Sequence, residues 1–406
     1  MTRLRRTGSG VAVRLLLVVV CSVLSLSLAP VPVGAAPTAQ PVAPRVPLFA
    51  FYYIWFDPSS WDRAKIDYPS LGRYSSDDPR VMAQHIEWAK AAGIDGFIVS
   101  WKDNTNNDRR LRLLMDVARK ANFKLAMIYQ GLDFSRNPLP VAQVAADFVT
   151  FRDQFANDPV FYRVAGKPLT IWSGTWAFSH ADVAQVTDPV RGSMLVLNTE
   201  KGVADYQRIA NVTDGDAYYW SSVNPDTNPN YGTKLNAMAD AIHQDRKYWI
   251  APFAPGFDAR LVGGSNVVDR KDGAILRTEY ATALHSSPDA LGLISWNEFS
   301  ENSYVEPSVK FGRRYLDVLR ELGTEPLSGT AGTSGSGADG GIGPDSGDGP
   351  ALSTADGYGR YWPTALLIAF PIVLAIGVGL IAVRRRRSGR TDEPEATLVG
   401  EASRFR

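Results

Sequence analysis

Cysteine and histidine are nearly missing from this chain: its 406 residues include one cysteine and four histidines. Cys21 lies in an apolar N-terminal run that reads as a removable leader, so the mature chain has no thiol for catalysis or disulfides. His85, His180, His243 and His285 show none of the paired spacings of a zinc site, so no metal is expected. The body also lacks the G-x-S-x-G elbow of a serine nucleophile. The G-x-G-x-x-G match "GSGADG" at 335–340 has no strand before it and no helix after it, so it marks no dinucleotide site. No other cofactor is indicated. Carboxylates remain as the catalytic groups.

Net charge is almost absent too, at +1, but it is unevenly spread. The first 36 residues contribute +4 and residues 384–406 contribute +3, which leaves residues 37–383 at −6. A mildly acidic body has no electrostatic footprint for nucleic acid. The basic ends read as membrane signals. "MTRLRR", the apolar "LLLVVVCSVLSLSL" and "PVGAAP" form a signal peptide over 1–36. Val20 before Cys21 argues against lipoprotein processing. Near the other end, "TALLIAFPIVLAIGVGLIAV" (364–383) has no charge and is long enough to cross a bilayer. Tyr361 and Trp362 precede it, and the arginines that open the basic tail, 384–406, follow it. That polarity predicts a single-pass protein of the cell membrane with its N-terminal domain outside. Residues 328–360 are rich in Gly, Ser and Asp and read as a disordered tether.

Between these segments, a domain spanning 46–327 alternates apolar runs with amphipathic stretches. Strands are predicted at 48–55, 94–101, 124–130, 168–174, 194–200, 216–222, 248–255 and 291–298. Their near-continuous apolar character is that of strands buried on both faces, as in a parallel sheet. Helices are predicted at 78–93, 107–121, 140–156, 232–245, 272–286 and 312–322; Asp78, Pro79 and Gly93 supply cap, first turn and stop for the first. Eight strands with helices between them predict a (β/α)8 TIM barrel. A doubly wound open sheet is the alternative, but no glycine-rich loop follows the first strand.

In such barrels, chemistry sits where strands end. The strand ends here bring aromatic residues beside polar ones: Tyr52, Tyr53, Trp55, Trp101, Tyr129, Trp172, Tyr219, Trp220, Asp258 and Asn297. Aromatic platforms beside hydrogen-bonding groups suit sugar rings, although each aromatic could equally belong to the core. The last strand runs into "ISWNEFSENSYVEPS" (294–308), which crowds Glu298, Glu301 and Glu306. Glycosidic hydrolysis takes two carboxyl groups, and proximity with burial separates their pKa values. An ion pair with Arg260 or Arg277 is the competing explanation for one of them.

Together with "YYIWFDPSSWD", "DPRVMAQHIEWAKAAGIDGFIVSW" and "PFAPGFDAR", this stretch resembles glycoside hydrolase family 99, the endo-α-mannosidases and endo-α-mannanases. The likeness spans most of 48–322. The family's motif N-E-W-x-E-G-T-x-I-E-P is matched by Asn297, Glu298, Glu301, Glu306 and Pro307, while Phe299, Asn302 and Ser303 depart from it. The resemblance implies a (β/α)8 barrel without metal or cofactor. It implies Glu298 as the base that deprotonates the sugar 2-hydroxyl, which opens a 1,2-anhydro route with retention, and Glu301 as general acid. Glu306 is expected to orient the loop or bind substrate. A polysaccharide or oligosaccharide, most readily α-mannan, is the expected partner of a monomeric enzyme. An α-1,3-glucan hydrolase and a non-catalytic glycan-binding or envelope-assembly protein are the alternatives.

Overall fold

The structure, a computed structural model, describes residues 45–133 and 135–324. The predicted signal peptide, tether, membrane span and basic tail lie outside the described residues. Among the described residues no helix is long and apolar enough to cross a membrane.

Eight parallel strands form one curled sheet: β1 (Leu48–Tyr53), β2 (Gly96–Trp101), β3 (Lys124–Gln130), β4 (Lys167–Ser173), β5 (Leu195–Leu197), β6 (Gly215–Asp216), β7 (Tyr248–Phe253) and β8 (Ala290–Leu293). Their order is β5–β4–β3–β2–β1–β8–β7–β6. Just past β5 the ring closes: Asn198 bridges to Asp216, with Asn198 N–H donating to the Gly215 carbonyl at 3.0 Å and Ala217 N–H to the Asn198 carbonyl at 2.8 Å. The result is the TIM-barrel-like fold that the strand count predicts. β6 is shorter than predicted, and its Gly215 sits where a Cβ would meet the Tyr248 carbonyl at 2.0 Å. Only glycine permits that approach to β7.

Alternation along the strands separates two cores. Phe49, Phe51, Ile98, Ile128, Leu169 and Ile171 fill the barrel. Leu48, Tyr52, Phe97, Trp101, Tyr129 and Trp172 face outward and pack with the helices. Two buried faces explain the unbroken apolar runs. The outer layer consists of α1 (Pro79–Ala91), α2 (Thr105–Ala121), α3 (Val141–Gln154), α4 (His180–Thr187), α5 (Val203–Ile209), α6 (Tyr231–Gln244), α7 (Ala274–His285) and α8 (Arg314–Thr324). In α1, Asp78 caps the Arg80 N–H and Pro79 opens the first turn. Helices α4 and α5 have no counterpart in the sequence prediction, because eight and seven residues carry too little periodicity to detect. Helix α4 instead starts on a capping box in which Ser179 and Asp182 accept each other's backbone N–H.

Candidate active site

Past Leu293 the eighth strand gives way to a loop held by its own backbone. Trp296 N–H donates to the Phe51 carbonyl at 2.8 Å, and Ser295 N–H donates to the Ser303 carbonyl at 2.7 Å. Next in line, Glu298 donates its N–H to Ser295 Oγ at 2.8 Å, and its Oε1 accepts the Ser300 N–H at 3.0 Å. Burial pushes the Glu298 carboxyl up to about 7, while the Ser300 N–H and the Lys65 charge pull the other way. Lys65, half-buried in the segment after β1, is itself pulled down by burial.

The Glu301 side is anchored by two contacts. Its carbonyl accepts the Asp258 N–H at 2.8 Å. The following Asn302 has φ +53, and its carbonyl accepts from Arg270 Nη2 at 2.6 Å. Arg270 is buried among Tyr304, Phe311 and Tyr315, with ring centroids at 4.5, 4.8 and 4.5 Å. A guanidinium wrapped in aromatic faces is a rigid support for this turn.

Both carboxylates line one cavity of about 390 Å³ at the C-terminal mouth of the barrel, within the range of small-ligand sites. Tyr53 and Trp55 stand beside them, with ring centroids 4.3 Å apart and planes 24° from parallel. The Tyr53 and Tyr219 hydroxyls meet at 2.5 Å. Burial pushes the Tyr53 phenol well up, and the charges of Glu298 and Glu301 add to that. Ser100, Gln130, Ser173 and Trp176 complete much of the wall. Among the described residues no group of three His, Cys, Asp or Glu is placed to hold a metal ion. A buried Glu298 and a half-buried Glu301 beside aromatic faces can move protons on a bound sugar.

The profile described as glycosyl hydrolase family 99 matches residues 57–323. The chain belongs to that family. Rat glycoprotein endo-α-1,2-mannosidase is 23% identical over 268 residues, which cover 60% of this chain and 56% of that protein. The human glycoprotein endo-α-1,2-mannosidase-like protein is 24% identical over 280 residues, 62% of this chain and 60% of that one. The chain thus spans little more than half the length of these curated relatives. A solved family 99 endo-α-mannosidase from Bacteroides thetaiotaomicron superposes with a TM-score of 0.60 at 23% identity, over 68% of this chain and 96% of that one. At that identity the likeness is one of fold.

In this family 99 barrel, the predicted site residues fall into two groups. Glu298, Glu301, Tyr53, Trp55 and Tyr219 meet at the cavity. Tyr52, Tyr129 and Trp172 do not, because their strand parity turns them outward. Tyr52 stacks on Phe97 and reaches His85 Nδ1 at 3.0 Å, and Tyr129 donates to Asp147 at 2.8 Å. Trp172 packs against Phe148 and Phe178. Trp101 borders the cavity, but it is only 1% exposed and donates its indole N–H to Asp108 at 2.9 Å. Trp220 packs near Tyr218 and Tyr231 under the Lys234 ammonium. Asp258 pairs with Arg260 at 2.6 Å, and Arg277 pairs with Glu321, so neither arginine serves the glutamates.

Asn297 and Glu306 support the site from behind. Glu306 is buried, its Oε1 is 3.0 Å from His85 Nε2, and its Oε2 accepts from the Tyr74 hydroxyl at 2.9 Å. The departures from the motif also find physical places. Asn302 occupies the left-handed conformation where the motif has glycine, which asparagine tolerates. Phe299 stacks on Tyr304 at 4.0 Å. Sequence reasoning missed Lys65, Lys102, Trp176 and Lys201. Gln130, a polar strand end beside Tyr129, does line the cavity; counting alternate positions would also have found Ser100 and Ser173, which share the inward parity of their strands, but the loop residues carry no such signal.

Proposed function

We propose that this chain hydrolyses α-mannosyl glycans with retention of configuration, using Glu298 and Glu301. The observation that carries this reading is that both carboxylates line one aromatic-walled cavity at the catalytic end of the barrel. In the first step Glu298 takes the proton of the 2-hydroxyl as O2 bonds to C1. The exocyclic C1–O bond breaks, and Glu301 protonates the departing oxygen. In the second step Glu301 takes a proton from water, the water oxygen bonds to C1, the C1–O2 bond breaks, and Glu298 returns its proton to O2. Two inversions at C1 give net retention. A Glu298 carboxyl near 7 suits a base working at neutral pH.

The test is kinetic, on α-manno-oligosaccharides and on their aryl glycosides. Glu298→Gln and Glu301→Gln should keep the fold and each lower turnover by at least about 100-fold. An activated aryl leaving group should partly rescue Glu301→Gln and leave Glu298→Gln inactive. An inverted product, or near-normal turnover by Glu298→Gln, would overturn the assignment. The same proposal has the barrel outside the cell on a C-terminal membrane anchor, on the strength of the charge pattern at the chain's ends. Protease added to intact cells should then release the barrel; release only after lysis would reverse the orientation.

A further inference from the structure

The cavity has two walls of different character. Glu298 and Glu301 enter from the loop after β8, beside Tyr53 and Trp55 at the end of β1. The half of the ring centred on β4, opposite β8, brings three cations to the same cavity. Lys102 follows β2, Arg136 lies in the loop after β3, and Lys201 lies in the loop after β5. Among the described residues Asp133 is the one carboxylate lining that half, and its oxygens accept from the backbone and side-chain nitrogens of Asn137 at 2.8 and 3.3 Å. Asp147 accepts from Tyr129, its charge and that of Asp133 act on Lys102, and Lys201 acts on Glu200.

The cations are placed on or beside sugar-sized features. Lys102 is half-buried, and the Leu132 carbonyl, at 3.1 Å, takes one of its three donors. The Lys201 ammonium lies 4.6 Å over the ring of Trp176, itself a cavity-lining residue. A neutral sugar needs only neutral donors, acceptors and an aromatic face. Lining its cavity with three partly desolvated cations has a cost that amides would avoid. An anion recovers that cost, because a charge-assisted hydrogen bond is roughly twice as strong as a neutral one.

We propose that the wall of Lys102, Arg136 and Lys201 receives an anionic substituent, a phosphate or a carboxylate, carried by the glycan in this cleft. The inference rests on reading the cavity as a glycan site, but not on turnover. The anion docks opposite the glutamates, so charge orients the glycan: the substituent end lies toward β4 and the bond to be cleaved toward β8.

The test uses the full chain with Glu298→Gln to block turnover. Three ligands of equal length are titrated calorimetrically at low and high salt: a neutral α-manno-oligosaccharide, its 6-phosphate monoester and its succinyl half-ester. The anionic ligands should bind at least about tenfold tighter at low salt, with the gap narrowing at high salt. Equal gains for both anions mean that charge alone is read, and a larger gain for phosphate assigns the source. Adding Lys201→Gln with Arg136→Gln should bring the anionic-to-neutral ratio toward one, and Lys201→Glu should push it lower still. Equal affinity for all three ligands, or a preference that survives both substitutions, overturns the inference. Wild-type turnover separates the two readings. Cleavage of neutral and anionic glycans with equal kcat/KM removes the anion site and keeps the hydrolase. Selective binding without cleavage keeps the site and removes the hydrolase.

Discussion

The Asn297 side chain clasps both backbone polar groups of Tyr53: its Oδ1 accepts the Tyr53 N–H at 2.9 Å and its Nδ2 donates to the Tyr53 carbonyl at 3.0 Å. A side-chain amide thereby replaces a strand partner where β1 outruns β8. The clasp ties the cavity wall at Tyr53 to the residue that precedes Glu298. Asn297→Ala leaves both groups buried and unpaired, so it should cost about 2–3 kcal/mol in chemical denaturation. Its kcat should also fall at temperatures where the variant remains folded. Wild-type kcat together with wild-type stability would show that the clasp matters to neither.

Strand parity sorts the aromatics into two experimental classes. Trp172→Ala should lower stability by about 3–5 kcal/mol, the range for a large aromatic truncated in a core. Trp55 is 42% exposed and lines the cavity, so Trp55→Ala should change stability by within about 0.5 kcal/mol and weaken glycan binding several-fold. Thermal melts and glycan titrations on the two variants check this. The opposite pattern would mean that the inward and outward faces are exchanged.

The Glu298 carboxyl, pushed by burial from an ordinary 4.5 to about 7, makes both stability and activity depend on pH. The folded state holds this proton more tightly than the unfolded state. Its contribution to stability is therefore full below about 4.5 and is lost as pH rises through about 7. Glu298→Gln should flatten that fall. Glu200, also raised to about 7 by burial, should leave a further part that Glu200→Gln lessens, and the buried Asp216 and Glu279, raised as well, should keep the rest. As a base Glu298 must be ionised, so kcat/KM should rise with pH through the same region. Lys65→Met removes a charge that lowers the Glu298 pKa and should move this limb to higher pH. An unmoved limb would separate Lys65 from the chemistry.

Much of this protein could be read along the chain, and the part that could not has one physical origin. The eight apolar runs marked the strands because a parallel strand buried on both faces repeats its signal locally. Asp78, Pro79 and Gly93 marked α1 because caps act within a single turn. The crowded glutamates stood out because their spacing is local as well. Face is a different matter. Tyr52 and Tyr53 are adjacent and chemically alike, yet one donates or accepts at His85 and the other meets Tyr219 across the barrel mouth. Which parity points inward depends on how the sheet curls and closes through Asn198 and Asp216, and no property of either tyrosine carries that information.

The same limit applies to partners distant in sequence. Glu306 was legible as one of three nearby acids, but His85 and Tyr74, which lie more than 200 positions away, turn it into a buried support behind the cleft. Lys102 and Lys201 are unremarkable loop residues until ring closure sets them on one cavity with Glu298. Local composition determined the strands, the longer helices and where the acids cluster, because those depend on neighbours within a few residues. Tertiary structure alone decided which side chains share the cavity, because that depends on distances set by the closure of the whole barrel.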